Sequence, residues 1–406
     1  MNTSLKASGG GSVITQQSLR PEPAPGPYDG GSSPRPGRQR NHLVRRLLAN
    51  QIAWILLVAM LLLCSASIAA LRVVSARMAH VQELHILVGL VGLFIVLVPS
   101  YRSIGRYSYV FYAVSLALLA GVLFAPAIKG SHRWFVLGAG VNLQPSELAK
   151  IAFVMAVAWS LRRHRDCREL SRLLTPFVLM LLPMGLILKE SDLGTALLFP
   201  MALYCMLIAA GARFRHLLAI ALIVLSIAPG CYPLLKSYQK QRIIAMLVQR
   251  KPTYHQLHGD LYQQQQSEIA EGSGGVVGQG LAGANQIRHG LLPEAGNDFV
   301  FAVVATQWGF AGGAGVLLLY VVFFGGCMET AGSAPDSFAR LLVVGLASML
   351  ILQATINIAM TTGLIPVVGI TLPFLSYGGS AIVTDMLATG LILNVALRRE
   401  RPLAPL

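Results

Sequence analysis

The sequence predicts an all-α integral membrane protein with about ten transmembrane helices. Of the 406 residues, 54% are hydrophobic and only 12% are charged, and the mean hydropathy is +0.62. A soluble domain carries about 25% charged residues, so the surroundings of this chain are largely lipid. Apolar runs recur along the chain, and basic residues concentrate in the loops that fall on one side of the membrane.

The first 44 residues predict a disordered cytoplasmic tail. They are rich in Gly, Ser, Pro and Gln, and such a composition buries too little apolar surface to order a chain. Arg38 and Arg40 near its end, followed by Arg45 and Arg46, place the tail in the cytoplasm. Residues 45–400 are expected to form one polytopic membrane domain.

Ten apolar runs have roughly the length of about 20 residues that a spanning helix needs. They are 51–71, 84–99, 107–126, 145–161, 173–188, 193–211, 216–235, 298–326, 338–364 and 378–397. The fifth and sixth runs are short and are separated by the sequence KESD. One bent hairpin is therefore an alternative to two separate spans at that point.

The placement of Lys and Arg sets the orientation. The densest short basic loop, RRHRDCRELSR at 162–172, falls inside when the N-terminus is inside. The C-terminal Arg398, Arg399 and Arg401 are then also inside, which requires an even number of spans. The formal net charge of +15 thus reflects cytoplasmic loops. We expect no nucleic-acid partner, because the sequence has no basic stripe interleaved with aromatic residues.

A large extracytoplasmic loop, 236–297, is predicted between spans seven and eight. Loops of this length in a compact domain are usually functional or disordered. Apolar residues recur through the polar, Gly-rich sequence of the loop. This pattern favours packing against the membrane domain.

Four charged residues lie at the outer ends of predicted spans: Glu147, Lys150, Asp192 and Asp298. A charge at the centre of a span costs about 2.5–3.5 kcal/mol. Glu147 and Lys150 are three residues apart, so they share a helical face and can pair. Each charge alone can snorkel to the interface. Four charges on one side, flanked by Gly, Pro and Ser, favour a shared polar cavity.

Three further features point to an interior polar region. Arg133 precedes the fourth span and is either an interfacial anchor or a ligand for an oxyanion. The connection 363–380 contains two prolines and several glycines; broken backbone at membrane depth lines a cavity or packs within protein. Asp385, in the middle of the last span, is expected to face the interior and bond a neighbour.

Five stretches occur in a fixed order: QPSELAKIAF, SDLGTALL, QSEIAEGSGGVVGQG, LPEAGNDFVFAVV and INIAMTTGLIPVVGITLPFLSYGGS. Over residues 45–398 the chain resembles the SEDS proteins (shape, elongation, division and sporulation), the RodA and FtsW peptidoglycan glycosyltransferases. The resemblance implies a multi-pass protein of the bacterial cytoplasmic (inner) membrane. It implies polymerisation of lipid II into glycan strands with release of undecaprenyl diphosphate, in cell elongation or division. The third and fifth stretches lean towards the RodA branch.

The resemblance also implies roles for single residues. Asp298 matches the essential aspartate of the family and is the expected catalytic base. The expected substrate-binding residues are Arg133, Ser146, Glu147, Lys150, Asp192 and Ser376. A divalent cation, Mg²⁺ or Mn²⁺, is considered as a cofactor because diphosphate leaving groups often need one. A class B penicillin-binding transpeptidase is the implied partner, besides membrane lipid and lipid II.

The chain departs from the family pattern at two places. Gly296-Asn297 stands where His-Thr is usual, and 305–307 reads Ala-Thr-Gln where Gly-Glu-Glu is usual. Two alternatives stay open: a lipid II flippase, since broken helices and a charged cavity are also typical of transporters, or an inactive scaffold for a transpeptidase. The charges lie on one face, which favours the enzyme, whereas Asp385 supports the flippase.

Overall fold

The computed structural model describes residues 50–126, 131–136, 142–162, 170–227, 240, 262–280, 287 and 292–398. All of them belong to the unit Leu43–Leu406, which is separate from the unit Met1–His42. The predicted tail, most of the basic loop 162–172 and most of the outer loop therefore lie outside the described residues.

The described residues form twelve helices and one small sheet. The helices are α1 Gln51–Val74, α2 Ala76–Leu97, α3 Tyr101–Arg106, α4 Ser108–Val122, α5 Pro145–Leu161, α6 Leu170–Lys189, α7 Leu193–Ala209, α8 Phe214–Ile227, α9 Tyr262–Ser273, α10 Val300–Gly332, α11 Ser337–Thr361 and α12 Gly379–Leu397. Strands β1 (Phe135–Val136) and β2 (Asn142–Leu143) pair antiparallel just before α5. This two-residue ladder is the departure from a purely helical fold.

Five of the described helices are long and apolar enough to cross a membrane: α1, α2, α10, α11 and α12. Shorter apolar helices are α4, α7 and the part of α6 from Leu174. The chain is thus a mostly helical, multi-pass membrane protein. The count of ten spans and the cytoplasmic position of both ends stay predictions. Residues 190–192 separate α6 from α7, so the two predicted runs form two helices; the choice between two spans and one bent hairpin stays a prediction.

Helix α2 begins eight residues before the predicted span, at Ala76 rather than at residue 84. The polar residues in this first part suggest a loop, but Gln82 is fully buried. The Nε2 of Gln82 donates to the Ser376 carbonyl at 3.0 Å and lies 3.4 Å from the Ser67 hydroxyl. A buried amide with partners belongs inside a helix bundle.

Helix α10 is broken at Gly309, which has a φ of 66°. The segment before the break, starting at Val300, is buried on nearly every side. Beyond the break, Phe310, Leu318 and Val321 are 75%, 63% and 67% exposed, as lipid-facing side chains are. Helix α10 therefore consists of a protein-enclosed segment next to Asp298 and a lipid-facing segment, and it ends at Gly332, six residues beyond the predicted span 298–326.

The outer-loop segment 262–280 pairs the backbone groups that the break in α10 releases. Phe310 N–H donates to the Gly275 carbonyl at 2.8 Å, and Ala311 N–H donates to the Val276 carbonyl at 3.0 Å. A buried amide without a partner costs about as much as a lost hydrogen bond, so these pairs make the kink tolerable. This part of the loop packs on α10 and, through Ser267, on the Thr361 carbonyl at the end of α11.

We predict that Gly309→Ala destabilises the protein. A Cβ at this position would lie 2.4 Å from the Gly278 nitrogen and 2.6 Å from the Val276 carbonyl carbon. The left-handed backbone adds a cost of about 1–3 kcal/mol. The measurement is the thermal unfolding midpoint in detergent micelles, which should fall. Gly315→Ala on the same helix, where a Cβ meets nothing within 4 Å, is the control. Equal midpoints for the two variants would contradict the packing at the kink.

Candidate functional site

A buried amide on α11 joins the expected base to the broken connection, residues 362–378 between α11 and α12. Asn357 is fully buried. Its Nδ2 donates to the Asp298 carbonyl at 2.8 Å and to the Ile370 carbonyl at 2.7 Å. Asp298 lies half-buried in the turn before α10. A Cβ on Gly369 would lie 3.6 Å from the Oδ2 of Asp298, so Gly369 borders the Asp298 carboxylate.

The same face of α11 also contacts a buried ion pair on α5, Glu147–Lys150. Lys150 Nζ lies 2.8 Å from Glu147 Oε2, as their spacing predicts, and donates to Gln353 Oε1 at 3.0 Å. Gln353 precedes Asn357 by four residues, which is about one helical turn or 6 Å. One stripe of amides on α11 therefore fixes both the ammonium of Lys150 and the backbone of Asp298.

The expected role of Lys150 in holding a diphosphate stays a prediction. Lys150 and Glu147 are only 3% and 4% exposed, and in this conformation the ammonium faces Glu147 and Gln353. Removing one partner of a buried pair leaves an uncompensated charge, at a cost of about 3–5 kcal/mol. The hydrogen bond from Lys150 to Gln353 joins α5 to α11, and an anion would have to draw the ammonium away from Glu147.

Asp192 caps the N-terminus of α7. Its Oδ1 accepts from Thr195 N–H at 3.1 Å, and its Oδ2 accepts from the Thr195 hydroxyl at 2.9 Å and from Gln144 Nε2 at 3.4 Å. A carboxylate at this position accepts hydrogen bonds from the unpaired N–H groups at the start of the helix, and the positive end of the helix dipole stabilises its negative charge. Just behind it, a Cβ on Gly194 would lie 2.7 Å from the Val368 carbonyl oxygen. The start of α7 thus meets the segment that borders Asp298.

Arg133 lies beside this cap. Its guanidinium donates to the backbone carbonyls of Glu190, at 3.3 Å, and of Ser191. These carbonyls belong to the turn between α6 and α7. Arg133 therefore holds the turn from which Asp192 projects, and the structure brings these two predicted residues together.

Glu190 is a member of this cluster that the sequence analysis missed. It is 1% exposed, and neither of its carboxyl oxygens accepts a hydrogen bond within the described residues. Burial, and then the charge of Asp192, raise the pKa of Glu190 from 4.5 to about 8, against the opposing effect of Arg133. The carboxyl is therefore mostly protonated at neutral pH. In the sequence, two acids in one short turn are the signal for it, but such a turn is usually solvent-exposed.

The two predicted serines have different environments. Ser146, beside Glu147 at the start of α5, is fully buried, and its hydroxyl has no hydrogen-bond partner within the described residues. Ser376 Oγ accepts from Leu372 N–H at 2.8 Å within the broken connection. A serine that was not predicted, Ser380, links the start of α12 to β2 by donating to the Asn142 carbonyl at 2.8 Å.

Two of the residues that depart from the family pattern, Gly296 and Thr306, contact neighbouring elements, whereas the buried side-chain oxygen of Gln307 has no hydrogen-bond partner within the described residues. A Cβ on Gly296 would lie 2.7 Å from the Met78 Cε and 3.1 Å from the Leu71 Cδ2, so the ends of α1 and α2 leave little room for a side chain there. Thr306 donates its hydroxyl to the Ala270 carbonyl at 2.8 Å. The altered residue at 306 thus ties α9 to α10.

We predict that Glu190→Gln stabilises the protein at neutral and higher pH. Between about pH 4.5 and 8 the folded state keeps a proton that the unfolded state has released, so stability falls as the pH rises through this window. Glutamine does not bind or release a proton in this range, so the stability of the variant does not fall in the same way. The unfolding midpoint of the variant should exceed that of the wild type at pH 8, and the difference should shrink towards pH 5. Glu329→Gln, at an exposed position, is the control; a gap that does not depend on pH would contradict the buried carboxyl.

The chain is similar in sequence to a known protein family. The family model for FtsW, RodA and SpoVE, described as cell cycle protein, matches residues 45–401. The probable peptidoglycan glycosyltransferase FtsW of Trichlorobacter lovleyi is 36% identical over 332 residues, which is 80% of this chain and 84% of that protein. The peptidoglycan glycosyltransferase MrdB of Helicobacter pylori is 34% identical over 330 residues, or 79% of this chain and 84% of that protein.

Solved structures agree with this match. A chain from a study of structural coordination of polymerization and crosslinking by a peptidoglycan synthase complex superposes with a TM-score of 0.73 at 30% identity. The match covers 85% of this chain and 98% of that one. The rod shape determining protein RodA of Thermus thermophilus gives a TM-score of 0.65 at 28% identity, covering 86% and 97%. In sequence and in fold, the chain belongs to the FtsW/RodA/SpoVE family, the SEDS proteins.

Proposed function

We propose that this chain is a peptidoglycan glycosyltransferase that polymerises lipid II into glycan strands and releases undecaprenyl diphosphate. The observation that carries the proposal is its 34–36% identity, over about four fifths of its length, to proteins named peptidoglycan glycosyltransferase. The geometry supports it by placing a half-buried carboxylate, Asp298, at a junction fixed by buried hydrogen bonds.

Asp298 is the proposed general base. The 4-hydroxyl of one sugar attacks the anomeric carbon of a lipid-linked sugar, the new glycosidic bond forms, and the bond to the diphosphate breaks. Asp298 takes the proton of the hydroxyl, and the diphosphate leaves with the electron pair. Gly369 beside the carboxylate has no side chain to fill the space there, which is consistent with a sugar approaching the carboxylate from that side.

Arg133 and Lys150 are the proposed ligands of the diphosphate. A guanidinium has five N–H donors, and the two bonds of Arg133 to backbone carbonyls leave donors for an oxyanion. Lys150 is in a different position, since its ammonium is shared between Glu147 and Gln353. We therefore assign the first contact with the diphosphate to Arg133.

A divalent cation is proposed as an aid to the leaving group. The described residues contain no group of three or more His, Cys, Asp or Glu side chains placed to hold a metal. Mg²⁺ is usually bound through one or two carboxylates together with substrate phosphates. The single half-buried carboxylate of Asp298 fits that mode, in which the ion arrives with the diphosphate. When bound, the ion would neutralise charge on the departing diphosphate.

A transpeptidase of the class B penicillin-binding type is the proposed partner, in the bacterial cytoplasmic membrane. The structural relative at a TM-score of 0.73 comes from a complex that couples polymerization and crosslinking. Relatives named FtsW and MrdB match at similar identity. The lean towards the RodA branch therefore remains a prediction from the sequence motifs.

We predict that purified Asp298→Ala, assayed with its transpeptidase partner, makes no glycan polymer from lipid II while remaining folded. Removing a positioned general base lowers a rate by about 10²–10⁴-fold. Arg133→Ala should lose less, because Arg133 holds the leaving group without taking the proton. Lys150→Ala should also lose less per folded molecule, although it leaves Glu147 unpaired and lowers the folded fraction. The measurement is the polymer ladder on a gel, read beside the unfolding midpoint of each variant.

The same preparation distinguishes the alternatives. The wild-type protein is also reconstituted into proteoliposomes. If it moves lipid II across the bilayer without making polymer, the protein is a flippase and the proposed transferase is overturned. Polymer yield from Asp298→Ala equal to that of the wild type would remove Asp298 from the reaction. Failure of the wild-type protein to do either would favour the scaffold.

A cation prediction follows separately. Excess EDTA should lower the initial rate of polymerisation by the wild-type protein, and Mg²⁺ or Mn²⁺ added back should restore it, because the ion screens the leaving diphosphate. Ca²⁺ is the matched control, since it prefers more ligands and longer bonds. A rate unaffected by EDTA would leave Arg133 and Lys150 as the source of positive charge.

A further inference from the structure

Asp385 is a buried acid in the middle of α12 that the proposed reaction does not use. It is 2% exposed. Together with Lys150 and Gln353 it lines one small cavity. On its other side, the carboxyl Oδ2 of Asp385 accepts from the backbone N–H of Phe374 at 3.3 Å. Asp385 therefore contacts both the surroundings of the buried ion pair and the broken connection.

Phe374 is held in an unfavourable backbone conformation. Its φ is 64°, a left-handed value that costs a bulky residue of order 1–3 kcal/mol and persists only where neighbours enforce it. It sits in a tight turn, Leu372–Ser376, in which Ser376 N–H donates to the Leu372 carbonyl at 3.0 Å. The ring of Phe374 is buried against Phe323 of α10, with centroids 5.3 Å apart.

The turn leads directly to the backbone that precedes the proposed base. Tyr377 N–H donates to the Gly296 carbonyl at 2.8 Å, and Asp298 N–H donates to the Glu294 carbonyl at 3.1 Å in the same loop. A shift of the turn would therefore move the residues just ahead of Asp298. A displacement of about 1 Å in a reacting group can cost a factor of 10² in rate.

We propose that Asp385 is a positioning residue of the transferase site. Its carboxylate holds the left-handed turn at Phe374, and through Tyr377 and Gly296 it fixes the placement of Asp298. The part that acts is the hydrogen-bond acceptor. Lys150 of the buried ion pair lines the same cavity as Asp385. This inference rests on the proposed function, because its main readout is glycan polymerisation.

The test compares Asp385→Asn, which keeps an acceptor of the same shape, with Asp385→Leu, which removes it. We expect Asp385→Asn to keep kcat within about threefold of the wild type, and Asp385→Leu to lower kcat by about 10–100-fold with KM nearly unchanged. A change in kcat alone is expected because Asp385 touches neither sugar nor diphosphate. Thr389→Val, a buried polar residue one turn away whose hydroxyl donates to the Asp385 carbonyl at 2.8 Å, is the control and should remain active.

Hydrogen exchange gives a second measurement that does not depend on activity. Peptides covering 372–378 and 294–298 should exchange faster in Asp385→Leu than in the wild type, and should be unchanged in Asp385→Asn. Should Asp385→Leu fail to fold, Asp385→Ser takes its place. Its hydroxyl can bond the carbonyl one turn back in the helix, but it is too short to reach Phe374.

Three outcomes would overturn the proposal: full activity of Asp385→Leu or Asp385→Ser, a loss in Asp385→Asn as large as in Asp385→Leu, or unchanged exchange at 372–378. An inactive wild-type protein is a different result, since it sinks the proposed function itself. The two failures are distinguished by the wild-type lane of the same assay.

Discussion

The site depends on one requirement: backbone groups that leave a helix inside a membrane protein must find partners within the protein. The broken connection between α11 and α12 meets this requirement by using side chains from its neighbours. Asn357 donates to the Ile370 carbonyl, and Ser67 donates to the Leu375 carbonyl. Gln82 donates to the Ser376 carbonyl. Asp385 accepts from the Phe374 N–H. Each partner that pairs the connection also fixes its position. The irregular backbone beside Asp298 is therefore held in place by several buried polar side chains.

The buried amides Gln353 and Asn357 on α11 bind a charged group as well as backbone groups. Asn357 and Gln353 face one side of the helix and engage Asp298 and Lys150 in turn. A charge moved into a low-dielectric interior is costly unless it is paired, so Lys150 needs Glu147. The proposed contact of Lys150 with a diphosphate would therefore require the ammonium to leave Glu147.

The sequence predicted what depends on composition and spacing: an apolar helical protein, the Glu147–Lys150 pair and the irregular segment 363–380. It did not predict Gln353 or Gln82, because an amide in an apolar run is marked in sequence only by its polarity, and its partners lie far along the chain. It also misplaced the start of α2 and missed the kink at Gly309. In both cases a polar or flexible residue is satisfied by tertiary contacts that local periodicity does not encode.

The two departures from the family motifs gain a physical meaning in this setting. Gly296 leaves room for Met78 and Leu71, and its carbonyl still anchors Tyr377. Thr306 replaces a longer acid with a short hydroxyl that bonds Ala270 of the outer segment. At both positions the residue present contacts a neighbouring element, and neither change removes a group that the proposed proton transfer uses. The departures therefore leave the proposed base, Asp298, and the hydrogen bonds of the backbone around it in place.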